Sequence, residues 1–201
     1  MGELTLYYKY LVIVSIVVWL ITPIRQYKTR YFWFFLTLGL ADPVSIIAAR
    51  NFHIVSAQFY VPFDILLFFS VIEYKKITFY KILFYIVIVG FGCYSFFHFW
   101  EYGSYFFTTV MFFVLVILVK QSFQFIVERG SINIFHVVLV FYQALNAFKS
   151  LALLLNFSTG VWFFCISTAI QIFIGAFFAL YREDDPRLLI EVMKVNKFEN
   201  S

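Results

Sequence analysis

The chain has 201 residues, 63% of them hydrophobic and only 13% charged, with a net charge of +4. Soluble domains are about half apolar and a quarter charged, so the composition excludes that class; thirty Phe and fourteen Tyr exceed what one soluble core of this length buries. Several apolar runs reach the length of about 18 residues that crosses a hydrocarbon core. Lipid leaves backbone groups no water to bond, and the runs lack strict alternation, so the expected fold is all-α, a polytopic transmembrane bundle.

Seven spans are predicted, at about 5–24, 31–50, 56–74, 80–100, 104–127, 132–155 and 161–181. Span one carries Tyr7, Tyr8, Tyr10 and Trp19 and is followed by Arg25, Lys28 and Arg30. Span two contains "LADPVS", which sets Asp42 beside Pro43; span three contains Pro62 and Asp64 and is followed by Lys75, Lys76 and Lys81. Span four contains "VGFGCYS", whose Gly90 and Gly92 permit close helix approach. No strand precedes those glycines, so they do not form a nucleotide loop. Span five closes on Lys120 and Arg129. Span six places His136, Gln143, Asn146 and Ser150 on one helical face, with Lys149 adjoining, and span seven offers Thr168, Gln171 and Gly175 at similar spacing. Arg182, Arg187, Lys194 and Lys197 follow it.

Twelve of the fifteen Lys and Arg residues thereby fall on one side of the bundle. Bases concentrate on the cytoplasmic side, which predicts the N-terminus outside and the C-terminus inside. The positive charge is thus a signal of topology and of contact with anionic headgroups, not of nucleic acid. Residues 1–183 form the expected transmembrane domain. In the tail, 184–201, Asp184 or Asp185 can cap a helix with Pro186 at its first position. Leu188, Leu189, Val192, Met193 and Val195 then make one apolar face, which predicts a short amphipathic helix at the inner interface. No removable signal peptide is expected.

An ionisable side chain at mid-membrane costs at least about 2.5–3.5 kcal/mol and needs a partner or a wet cavity. Asp42, Asp64 and Lys149 stand at such depths, and an antiparallel hairpin of spans two and three makes the aspartates neighbours. Pro43 cannot donate to the carbonyl of Gly39, nor Pro62 to that of Gln58, so each span is expected to kink or open there. Asp42, Asp64, Lys149, Asn146, Gln143, Ser150 and Gln171 form the candidate polar pocket. The competing reading is an internal Asp–Lys pair that only holds a Pro-kinked hairpin together.

Cys93 and Cys165 lie in apolar runs without metal-type spacing. His53 and His98, with Glu101, lie toward the outer face and His136 toward the inner, too scattered to predict a metal site. No nucleophile–base pair stands at usable spacing, so neither a catalytic constellation nor a cofactor is expected.

Retinal proteins need a lysine midway along the last span, and residues 161–181 contain none. Alkaline ceramidases gather histidines around zinc, including a pair on their last helix, and here that span has none. A shift of 107 residues sets "DILLFFSVIEYKK" over "QIFIGAFFALYRE", a parallel-repeat arrangement similar to that of SWEET sugar transporters, but the prolines of spans one to three have no counterparts. Over residues 35–75, "LADPVSII", Asn51 and "YVPFDILLFFS" resemble small six- or seven-span bacterial integral membrane proteins of uncharacterised function. Asp64 stands where that pattern has glutamate. The resemblance implies no activity and marks the hairpin as the characteristic part.

The expected function is that of a membrane sensor or regulatory module whose intramembrane pocket takes a small or lipidic ligand. The alternative is a small proton- or cation-coupled transporter or channel. Partners are the lipid bilayer and a membrane or cytoplasmic protein reached through the basic loops and the tail.

Overall fold

The computed structural model describes residues 2–52, 56–72, 79–155, 157 and 161–191. Seven helices follow in order: α1 (Gly2–Arg25), α2 (Phe32–Phe52), α3 (Tyr60–Ser70), α4 (Phe79–Phe97), α5 (Ser104–Arg129), α6 (Ile134–Leu154) and α7 (Val161–Leu180). Six of them are long and apolar enough to cross a membrane. Lys75, Lys76, His53, Lys194 and Lys197 lie outside the described residues.

The exception is α3. Its 11 residues cover only about 16 Å at 1.5 Å per residue, roughly half a hydrocarbon core. A 3-10 turn, Ser56–Phe59, leads into it. Pro62 is the third residue of α3 rather than a break in mid-span, and there its missing N–H costs little. Without that N–H the α-ladder cannot reach back to Gln58, and the preceding residues wind as 3-10 instead. Within the expected span of 56–74 the described part, up to 72, is thus a short helix with a tightened entry rather than one continuous long helix. Pro43, by contrast, lies inside α2, which runs through it as one helix.

Glycines set how closely the helices approach. A Cβ at Gly39 would lie 2.6 Å from the Trp19 carbonyl oxygen, so α2 rests directly on the backbone of α1. Gly39 is therefore a packing residue. On the other flank of α1, a Cβ at Gly175 of α7 would meet Val18 at 2.9 Å and Trp19 at 3.1 Å. In α4 only one of the two expected glycines has this role: a Cβ at Gly92 would meet Ile65 at 2.6 Å, whereas Gly90 has open space.

Between these contacts an aromatic core joins four helices. Trp19 lies 4.7 Å from Tyr142, and Phe178 lies 4.8 Å from Phe35 and 4.9 Å from Phe135, all between ring centroids. These rings are buried, and tilted or edge-on packing adds about 0.5–1.5 kcal/mol per pair. Helix α4 packs on α3 and α5 at the edge of the bundle.

One end of the bundle is laced by polar bonds. The Gln26 side-chain amide donates to the carbonyls of Phe178 and Tyr181, each at 2.7 Å, and Arg25 donates to that of Leu180 at 3.3 Å. Tyr31 donates to Gln121, which in turn donates to the Val71 carbonyl at 2.6 Å. Helix α5 stops at Gly130, whose φ of 64° is left-handed. Strand β1 (Ser131–Asn133) then pairs antiparallel with β2 (Leu189–Glu191).

That pairing corrects the expected tail helix. Asp185 does cap a turn with Pro186 in first position, but the element is a single 3-10 turn, Pro186–Leu188, followed by strand. The open edge of β1 supplies hydrogen bonds there, and Leu188 turns into the core. Residues 192–201 lie outside the described part.

Candidate functional site

A cavity of about 580 Å³ lies inside the bundle, lined from α1, α2, α3, α5, α6, α7 and the π-helical turn Phe99–Gly103 that precedes α5. Trp19 and Tyr142 lie both in the aromatic core and in the cavity wall. The close α1–α2 contact at Gly39 and the α1–α7 contact at Gly175 hold that wall in place.

Asp42, Asp64, Lys149, Asn146 and Gln171 all reach this space. Asp42 accepts a hydrogen bond from the Tyr60 hydroxyl at 2.6 Å. Tyr60 and Asp64 are one helical turn apart, so both look into the cavity from the same face of α3. Asp64 is only 3% exposed, and its Oδ2 has no hydrogen-bond partner. Lys149 is half-buried, with Nζ 5.6 Å from the centre of the Phe164 ring. Among the described residues no ion pair within 4.0 Å joins Lys149 to either aspartate. Asp42 is thus held by a phenol, Lys149 lies over an aromatic face, and Asp64 faces the cavity. From α7, Gln171 donates to the Asn146 side-chain oxygen of α6 at 2.7 Å.

Two expected pocket residues lie elsewhere. Gln143 is buried against α5, where its amide donates to the carbonyl and the sulfur of Met111, each at 3.1 Å. Ser150 donates to the Ala147 carbonyl of its own helix at 2.8 Å. Both share a face with Asn146 by periodicity, but α5 packs over part of that face and leaves only the rest open. In their place the hydroxyl-bearing residues Tyr8 and Ser15 of α1, Thr37 of α2, Tyr60 of α3 and Tyr142 of α6 line the cavity. Single hydroxyl-bearing side chains scattered through apolar runs do not stand out in the sequence. The spacing of Tyr60 from Asp64, one turn apart on a helix, was the available signal.

At the laced end, His136 is buried with Nε2 3.3 Å from Glu183 Oε1, and Asn133 donates to the Glu183 carbonyl. Among the described residues no group of three or more His, Cys, Asp or Glu gathers for a metal. Cys93 and Cys165 are free thiols, the first exposed and the second buried. No known protein family, curated protein or solved structure matches this chain.

Proposed function

We propose that the protein is an integral-membrane sensor or regulatory module that binds a small or lipidic ligand in the cavity around Asp42, Asp64 and Lys149. The observation that carries this reading is the charge arrangement. A purely structural Asp–Lys pair closes on itself and is dry, whereas here the three charged groups line a roomy cavity and no two of them form an ion pair within 4.0 Å. About 300–1,000 Å³ is the usual volume of a small-molecule site, and this one mixes aromatic walls with a few polar groups, which is how such sites are built.

In this reading the chain crosses a plasma or bacterial inner membrane with its N-terminus outside. The end carrying Arg25, Arg129 and Arg182 is cytoplasmic, and α3 makes the seventh, short crossing with its 3-10 turn. Signal output passes to a partner protein through the basic end and the tail.

The unpartnered Asp64 oxygen favours a second reading, a proton- or cation-coupled transporter. Flux into proteoliposomes under proton and sodium gradients separates the two. Flux that vanishes in both Asp42→Asn and Asp64→Asn establishes the transporter; no flux, together with reaction of Thr37→Cys with a small polar thiol reagent in a background lacking Cys93 and Cys165, supports a wet binding module. An unreactive Thr37→Cys and no flux overturn both.

A further inference from the structure

We infer that the ligand of this cavity is an organic ammonium compound, a protonated amine on an apolar or aromatic body, whose N–H group donates to the Asp64 carboxylate. The inference rests on the ligand-binding reading above and names the chemistry of the ligand.

Asp64 is the starting point. A carboxylate buried to 3% exposure with an oxygen that meets no donor is expensive to keep. Every other charged group in the cavity is already engaged: Asp42 takes the Tyr60 hydroxyl, and Lys149 lies over Phe164. Neither reaches Asp64. With two carboxylates and one ammonium the cavity carries one net negative charge when all three are ionised, which matches a ligand of charge +1.

The walls choose among cations. A hard divalent ion asks for about six to eight oxygen ligands at short range, and among the described residues no cluster of three or more candidate ligands exists. Trp19, Phe63, Phe107 and Tyr142 surround the space instead. Aromatic faces attract an ammonium group and also shelter the carbon body attached to it. A bare metal ion uses neither property; an amine uses both.

The test uses the full chain in lipid nanodiscs and three probes of similar shape: 2-phenylethylamine, 2-phenylethanol and 3-phenylpropanoate. Trp33, Trp100 and Trp162 are strongly exposed, so replacing them with Phe leaves Trp19, in the cavity wall, as the single reporter of fluorescence. Empty nanodiscs correct for partition into lipid. The amine is expected to saturate the Trp19 signal with an affinity about tenfold or more above that of the alcohol, with the acid weakest. Asp64→Asn is expected to bring the amine down to the level of the alcohol and leave the alcohol unchanged. Equal binding of amine and alcohol, stronger binding of the acid, or an amine affinity untouched by Asp64→Asn overturns the inference while the binding module stands. If none of the probes changes the Trp19 signal, the ligand-binding reading falls with it. The comparison of the three probes on the native Asp64 protein needs no change at the site and decides the matter even where Asp64→Asn fails to fold.

Discussion

Replacing Gly39 with alanine tests the packing that holds the cavity wall. The added Cβ would stand 2.6 Å from the Trp19 carbonyl oxygen and 3.2 Å from its carbon. Both are backbone atoms within a helix, so no side-chain rotation relieves them, and α1 and α2 must part by roughly 0.8 Å to regain ordinary contact. Overpacking of this kind costs about 1–3 kcal/mol, while alanine gains about 1 kcal/mol of helix propensity over glycine. Gly90→Ala provides the reference, because a Cβ there meets nothing within 4 Å. Both substitutions share the propensity gain, so it cancels in the comparison. Gly39→Ala is therefore expected to be less stable than Gly90→Ala by about 1–3 kcal/mol. Reversible unfolding in mixed detergent micelles, followed by helical circular dichroism, measures the difference. Since Trp19 also lines the cavity, its emission should shift in Gly39→Ala and stay unchanged in Gly90→Ala. Equal stability of the two variants, or a more stable Gly39→Ala, refutes the contact.

Three further outcomes follow from the polar bonds. Gln26→Leu removes two hydrogen bonds, one buried and one partly buried, between the turn after α1 and the end of α7, for an expected loss of about 1–3 kcal/mol in the same unfolding assay; an unchanged midpoint would show those bonds to be idle. Tyr60→Phe takes the hydroxyl from Asp42 and should destabilise by about 1.5–3 kcal/mol if the carboxylate is charged. In a double-mutant cycle with Asp42→Asn the two effects should not add, and additivity would deny the pairing. Outside the membrane, hydrogen bonds from the Arg187 side chain and backbone N–H hold the Asp185 carboxyl down at about 2, below its ordinary 3.8. A depressed carboxyl contributes stability above its unfolded value and loses it as pH falls through the folded one. The contribution of this cap should thus be complete above pH 3.8 and fade toward pH 2. Carbon-13 titration of Asp185 checks this, and Arg187→Ala should return the midpoint toward 3.8; no change in that variant would mean the bonds do not hold.

The membrane character of this chain was legible in its residues because hydropathy is local and additive. A run of apolar side chains forces a helix in lipid whatever its neighbours do, and six long apolar helices stand where the runs predicted them. The same local rule misjudged the length of the helix in span three. Hydropathy counts the apolar side chains of residues 56–74 equally, but Pro62 limits how far the α-ladder extends toward Gln58, and only 11 residues form α3. The tail misled for a related reason. Its amphipathic pattern predicts a helix when taken alone, but β1 lies beside it as an open edge, and pairing with a distant segment outweighs local preference.

For the site, sequence determined which groups are too polar for lipid and must turn inward: Asp42, Asp64, Lys149, Asn146 and Gln171 reach one cavity. It could not determine which of them meet. Contact depends on how each helix is rotated about its axis and on how closely glycines such as Gly39 and Gly175 let neighbours approach. Those are properties of pairs of helices, distant in sequence, and only the tertiary structure decides them. It gives Asp42 to Tyr60, sends Gln143 to Met111, lays Lys149 over Phe164, and leaves Asp64 facing the cavity with an unpartnered oxygen.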